Sequence, residues 1–475
     1  MRPGCPGTNT QQRRVTVTFR NPIWFGSICA AVLLLCTVPA AASEGSWQVG
    51  TAKTEITPDG PLLMAGYASR DTPCSQTLLP LWAKAMVLED RDHNLALLIT
   101  LDLVGIDREL SKRIVKQISE QHEISPSGIA LCVSHTHTGP VVGKNLGPMH
   151  YRLATNEQRR AIDDYQERLQ QTVVRLVGLA LKNRSPCRLV QGLGHADFAV
   201  NRRNNPADQV PARRRLAELA GPTDHSVPVL AVRDQHDRLK VVVFGYACHA
   251  TVLDSVQWSG DYPGYAQAEL ERRHDGCQAM FWAGCGADQN PLPRRTVELA
   301  KHYGDRLATA VDAVLLTSQM GPLAPTLETI HREVPLALGA RPTVDQLQSQ
   351  SDSGNRFQKS RADMWLQRIE AGQPLPADYP YPVATWVLGG KLRWIFLGGE
   401  VVVDYSLRLR DQLGSDVWVT AYANDVMAYI PSRRVLREGG YEGDTSMIYY
   451  GLPTVWAPTI EQQIVDEAVR QAAGH

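Results

Sequence analysis

The chain has 475 residues, with 49 basic and 49 acidic side chains and a formal net charge of zero. No basic cluster with interleaved aromatics occurs, which argues against nucleic acid as a partner. With 43% hydrophobic residues, the length suits one large α/β domain or two smaller ones.

Arg13, Arg14 and Arg20 precede an apolar run over residues 24–38, and Pro39-Ala40-Ala41-Ala42 supplies the small side chains of a cleavage site. Residues 1–42 therefore read as a signal peptide, the run being short for a membrane span. An uncleaved amino-terminal anchor is the alternative. The expected location is secreted or periplasmic, and residues 43–475 are expected to form the folded part. Six cysteines follow the leader: Cys74, Cys132, Cys187, Cys248, Cys277 and Cys285. An even number in an oxidising compartment admits disulfides, with Cys277 and Cys285 as the candidate pair. Cys132 and Cys248 lie in apolar strand patterns and read as buried free thiols. No Cys-x-x-Cys spacing exists, which argues against a thiolate zinc site.

Residues 81–103 predict two strands joined by the polar turn 90–94, followed by a helix at about 107–123 and a strand at 128–134. Residues 156–182 place Ile162, Tyr165, Leu169, Val173, Leu176 and Leu179 at helical spacing, a long surface helix. Strands at 238–248 and 278–284, helices at about 261–274 and 296–317, and a closing helix at 459–473 complete the alternation. That order predicts an α/β fold, a layered mixed β-sheet core flanked by helices, with the site at strand ends. Residues 338–380, rich in Ser, Gln, Asp, Gly and Pro, are expected to form a surface excursion or a cap over the site.

Four places carry candidate chemistry. Ser134-His135-Thr136-His137 ends an apolar strand, and side chains two apart in an extended chain point the same way. The two imidazoles suit a metal ligand with a proton-moving neighbour, or are a pair of satisfied loop histidines. His249 ends the apolar run 241–247, as a ligand or as a structural strand-end histidine. Glu400 follows Gly398-Gly399 directly after the apolar run 394–397, where a buried charge needs compensation. It is either a metal ligand or the cap of a helix at 401–413. Tyr429, before Ile430-Pro431, is an ordinary packing residue on local grounds. Two histidines and a carboxylate are a common catalytic zinc set with one position open to water.

In order, these segments resemble the neutral/alkaline ceramidase family, in its amino-terminal catalytic domain. Gly50–Thr57, Met64–Ala68 (Met-Ala-Gly-Tyr-Ala), Leu81–Ala85, Ser134–Pro140, Asn201-Arg202-Arg203 and Ser259–Ala266 carry the resemblance over nearly all of residues 43–475. It implies one Zn2+ held by His135, His249, Glu400 and Tyr429, with His137 as the acid-base histidine. Arg202 and Tyr441 then hold the substrate carbonyl and the developing oxyanion. Two departures stand out. The family's Gly-Asp-Val-Ser-Pro-Asn is here Gly286-Ala287-Asp288-Gln289-Asn290-Pro291, which puts Asn290 at the serine. The family's carboxy-terminal immunoglobulin-like domain is expected to be missing. The resemblance implies a zinc-dependent amidohydrolase acting on an N-acyl bond by activated water, on ceramide or another N-acyl lipid. A zinc deacylase or esterase for acylated sugars, and a non-catalytic zinc-stabilised binding protein, are the alternatives. The partner is a small-molecule or lipid substrate with an acyl group, a peripheral membrane contact being compatible with it; the oligomeric state is left open.

Overall fold

Alternating side chains give the main sheet two buried faces. Its strands are β1 (Trp47–Glu55), β2 (Trp82–Glu89), β3 (Leu95–Leu101), β4 (Ile129–Val133), β5 (Ser185–His195), β6 (Ser226–Asp234), β7 (Leu239–Tyr246), β8 (Gln278–Ala283) and β9 (Gly321–Leu323). The computed structural model describes residues 14–18, 46–317 and 319–474. The expected signal peptide lies outside these, apart from residues 14–18. Among the described residues no helix is long and apolar enough to cross a membrane.

The strand order is β8-β7-β6-β5-β1-β2-β3-β4, with β9 added to β5. Helices α1 (Arg108–His122), α2 (Asn156–Lys182), α3 (Asp261–Arg273) and α4 (Val297–Leu315) pack on one face. That face is built by residues such as Ala83, Ala85, Val87, Leu97, Ile99, Val242 and Phe244. Pairing is antiparallel except for β3–β4 and β7–β8, whose parallel register needs the crossover helices α1 and α3. Sheet order alone would keep these two parallel pairs far apart. The sheet curls until β8 meets β3 and β4, and Lys84 Nζ on β2 donates to the Ala279 carbonyl of β8 at 2.8 Å. The carboxyl ends of β4 and β7, where an α/β sheet carries its ligands, thus come together.

A second sheet holds β10 (Leu327–Ala337), β11 (Asp378–Leu388), β12 (Leu392–Leu397) and β13 (Val417–Thr420), in that order. Its Trp386, Trp394, Phe396 and Trp418 pack against Met86, Leu98, Val243 and Trp282 of the main sheet. Between β10 and β11 run α5 (Val344–Ser351) and α6 (Arg356–Glu370), while α7 (Asp404–Leu413) and α8 (Ile460–Ala472) pack on the second sheet. The result is a helix–sheet–sheet–helix layering, the layered mixed-sheet fold expected from the alternation.

Three details refine the sequence reading. Helix α2 begins at a Thr155–Gln158 capping box and buries Ile162, Tyr165, Leu169, Val173 and Leu176. Leu179, expected on that face, is 54% exposed, because Val177 and Ala180 take over the buried stripe in the last turns. The expected Cys277–Cys285 bridge is absent, and all six described cysteines are free and buried. The extended strand β8 separates the two thiols by roughly 20 Å, far beyond disulfide reach. Finally, 338–380 is mainly the α5–α6 hairpin, with a small core of Leu347, Ala362 and Trp365. Trp365 Nε1 donates to the Gly451 carbonyl at 2.9 Å, and Phe357 packs 5.2 Å from Tyr449, so the hairpin docks on the segment after Tyr441.

Candidate metal centre

Each imidazole is fixed by a backbone carbonyl. His135 leaves β4 in a left-handed conformation, φ 58°, and its Nδ1 donates to the Val104 carbonyl at 2.6 Å. His249 leaves β7, and its Nδ1 donates to the Gly286 carbonyl at 2.8 Å. Those bonds set the tautomer and turn each Nε2 lone pair inward. The loops are tied together, the His137 amide donating to the Ala250 carbonyl at 3.2 Å. Tyr422 stacks on the His135 ring at 4.3 Å.

Glu400 and Tyr429 arrive together. Residues 400–401 and 429–430 form a two-residue parallel ladder in which Glu400 pairs directly with Tyr429. Gly399 has φ 73°, and a Cβ there would stand 2.7 Å from the Ala428 carbonyl oxygen, so the ladder requires glycine. Glu400 Oε2 lies 3.1 Å from His135 Nε2 and 3.0 Å from His249 Nε2. Tyr450 Oη donates to the other oxygen, Oε1.

This donor set fits a cation. Oε2 is buried and accepts no hydrogen bond. Burial and Arg202 push His249 down to about 4, so near neutral pH its ring offers a lone pair rather than a proton. Burial pulls the Glu400 carboxyl up; positive charge and hydrogen bonding at His135 and His249 would hold it well below the usual carboxylate range, but rings that present lone pairs supply neither, and a cation does. A charged carboxylate facing two lone pairs needs a positive partner. Ligands on a tetrahedral zinc stand about 3.3 Å apart, close to the separations found. His135, His137 and His249 also have ligand atoms within 4.8 Å of one another.

Two residues compete for the remaining place. Tyr429 Oη lies 3.4 Å from His249 Nε2 and accepts from Arg202 Nη2 at 3.1 Å. His137 Nε2 lies 3.1 Å from His135 Nε2. They differ in access: His135, His249, Glu400 and Tyr429 are fully buried, whereas His137 keeps part of its surface open. Burial, with His135 and His249 beside it, holds His137 well below the ordinary imidazole range.

The other expected residues gather around this cluster. Arg202 Nε donates to Glu442 Oε1 at 2.7 Å and Nη1 to Asn290 Oδ1 at 3.4 Å. Tyr441 opens a π-helical turn over 441–445, a geometry common at functional sites. It is 44% exposed, with its ring 5.3 Å from Tyr429 and 5.6 Å from the Arg202 guanidinium. Asn290 stands behind Arg202, meeting that side chain and Thr251. Asp261, the first residue of α3, is buried and accepts from the Leu253 amide at 2.8 Å, fixing the loop after His249. Sequence reasoning missed Tyr450, Glu442 and Tyr422. The available signal for the first two was the aromatic and acidic density of 441–450.

The sequence model of the neutral/alkaline non-lysosomal ceramidase amino-terminal domain matches residues 47–295. The chain belongs to this family. A crystal structure of neutral ceramidase from Pseudomonas aeruginosa is similar, with 19% identity and a TM-score of 0.67, over 90% of this chain and 75% of that one. A ceramidase complexed with C2 is similar at 18% identity and a TM-score of 0.65, over 90% and 76% of the two chains. No curated protein matches the chain. The family match takes in His135, His137, Arg202, His249 and Asn290, while Glu400, Tyr429 and Tyr441 lie beyond it. A hydrolase of the neutral ceramidase type with a histidine group able to hold a metal is thereby established.

Proposed function

We propose that this ceramidase-family chain is an exported, zinc-dependent amidohydrolase that cleaves an N-acyl bond, with His135, His249, Glu400 and Tyr429 as ligands. The observation that carries this reading is the buried Glu400 Oε2, which accepts no hydrogen bond and faces Nε2 of His135 and His249 at 3.1 and 3.0 Å. Family membership, and the likeness to a ceramidase complexed with C2, support an acyl lipid as the substrate class. The amino-terminal leader supports export.

Zinc bound there supplies a Lewis acid and brings the pKa of water towards neutrality. His137, the accessible member of the cluster, takes a proton from the attacking water and returns it to the leaving amine. Arg202 and Tyr441 offer donors to the carbonyl oxygen as negative charge grows on it. Glu442 and Asn290 hold the Arg202 fork in place for that task. Asn290 has no nucleophilic atom, so no acyl-enzyme forms at that position.

Metal analysis and a release assay test the proposal. We expect one equivalent of zinc, lost in His249→Ala, and free fatty acid or acetate from at least one member of a panel of N-acyl lipids and sugars. Full-strength metal binding by His249→Ala removes the site. A zinc-loaded protein inert on the whole panel removes the hydrolase reading.

A further inference from the structure

The segment that departs from the family motif continues into charges that the proposed reaction does not use. After Asn290, Leu292 is anchored in a small core with Val200 and Val210. The Arg295 amide then donates to the Val252 carbonyl at 2.7 Å, in the loop that follows His249. The backbone between these anchors runs from the Asn290–Arg202 contact to the His249 loop and carries Arg294 on the way. Arg295 already has partners: its guanidinium lies 5.0 Å over the Tyr67 ring, Nη1 donates to Tyr67 Oη at 2.8 Å, and Nε is 3.4 Å from Asp254. Tyr67 packs in turn 4.9 Å from the His137 ring.

Arg294 is half-buried and, among the described residues, has neither a hydrogen bond nor an ion pair. Its electrostatic neighbours are Arg295 and Arg202, which repel it, and Tyr67 and Asp254, which attract it; the backbone course sets the residue between the Asn290–Arg202 contact and the His249 loop. More positive charge stands around Tyr67 and Ala68. Arg70 donates to the carbonyls of Ala65, His137 and Ser255, and Arg356 to that of Ala68, with no ion pair at either among the described residues. The nearby carboxylates are committed elsewhere. Asp254 faces Arg295, Glu442 binds Arg202 and Arg203, and Asp261 accepts backbone amides. A half-buried guanidinium among like charges is unfavourable unless an anion completes the group.

We propose that Arg294 reads an oxyanion on the substrate, so that the preferred N-acyl compound carries a carboxylate or phosphate near the scissile amide. The inference rests on the amidohydrolase reading of the same site. A guanidinium fork matches two oxygens of either group, which a neutral headgroup does not offer.

Calorimetric binding to the zinc-loaded full chain tests it, with three probes that share one acyl chain and carry CH2 in place of the scissile nitrogen so that they cannot be hydrolysed: the analogues of N-lauroyl-glycine, N-lauroyl-ethanolamine phosphate and N-lauroyl-ethanolamine. The wild type is expected to bind at least one anionic probe roughly ten- to a hundredfold more tightly than the neutral one. Arg294→Ala is expected to bring the affinities together, and Arg294→Lys to restore part of the preference. Equal affinities in the wild type, no binding of either anionic probe, or a preference that survives Arg294→Ala overturns the proposal. Binding is read without turnover, so an anion preference in a protein that hydrolyses nothing counts against the hydrolase reading alone.

Discussion

The two halves of the candidate metal centre are built on different principles. The imidazole half hangs from β4 and β7, and backbone carbonyls of Val104 and Gly286 orient its rings. The carboxylate half hangs from a ladder of two residues per strand, and side chains hold it: Tyr450 bonds Glu400, and Arg202 bonds Tyr429. A carbonyl survives most substitutions of its own residue; a phenol or a guanidinium does not. The first half is thus fixed by the fold, and the second is where single substitutions tune the centre.

Glu400→Gln should break the comparison most strongly, because it removes the charge that joins the halves. Metal affinity should fall well beyond the roughly 10–100-fold cost of losing an outer partner. The metal-free protein should instead gain stability, by about 1–3 kcal/mol, since a buried charge without a cation is replaced by an amide. Opposite shifts in unfolding temperature with and without zinc are the signature. Shifts of the same sign would mean that Glu400 is already compensated.

His137→Ala and Tyr429→Phe then sort the two contenders for the last place. His137→Ala should keep the metal and lose roughly 10²–10⁴ in turnover, as expected for a lost general acid-base. Tyr429→Phe should lower zinc affinity in a chelator competition. The reverse pattern would make His137 the ligand, which its 3.1 Å approach to His135 allows geometrically.

The same contrast explains what was legible in the sequence. His135 and His249 end long apolar runs, so strand periodicity alone exposed them. The helix–strand alternation likewise gave most element bounds, because capping and burial stripes are local signals. Glu400 and Tyr429 belong to a ladder too short to leave a pattern, and only the resemblance singled Tyr429 out. Tyr450, Glu442 and Tyr422 act through contacts with residues far away in the sequence, at separations that no local rule reaches. The curl that brings β8 to β4 is equally non-local, and so is the gap that keeps Cys277 from Cys285.

Tyr450→Phe sharpens the comparison more gently. It deletes only the hydroxyl that donates to Glu400 Oε1, leaving the ring and the ladder. Zinc affinity should drop about 10–100-fold, the usual cost of an outer hydrogen-bond partner. Substitution of Val104 by Ala, which keeps the carbonyl on His135, should leave it nearly unchanged. Equal losses in the two variants would erase the distinction between backbone-held and side-chain-held halves.

The smallest effect on metal binding concerns Asp288, which stitches the halves from behind. Its Oδ1 accepts from the Val403 amide at 2.9 Å, Oδ2 accepts from Asn201 at 3.1 Å, and its carbonyl accepts from the Arg202 amide at 2.8 Å. Burial raises its carboxyl from 3.8 to about 6. A folded-state value above the unfolded one means that the folded chain holds the proton more tightly. The stabilisation is therefore complete below about 4 and lost as pH rises to about 6, by at most about 3 kcal/mol. Thermal unfolding of the wild type should lose stability from this group across that window, and Asp288→Asn should flatten the slope there. An unchanged slope would show that Asp288 stays ionised in the fold, held by its amide donors against the cost of burial.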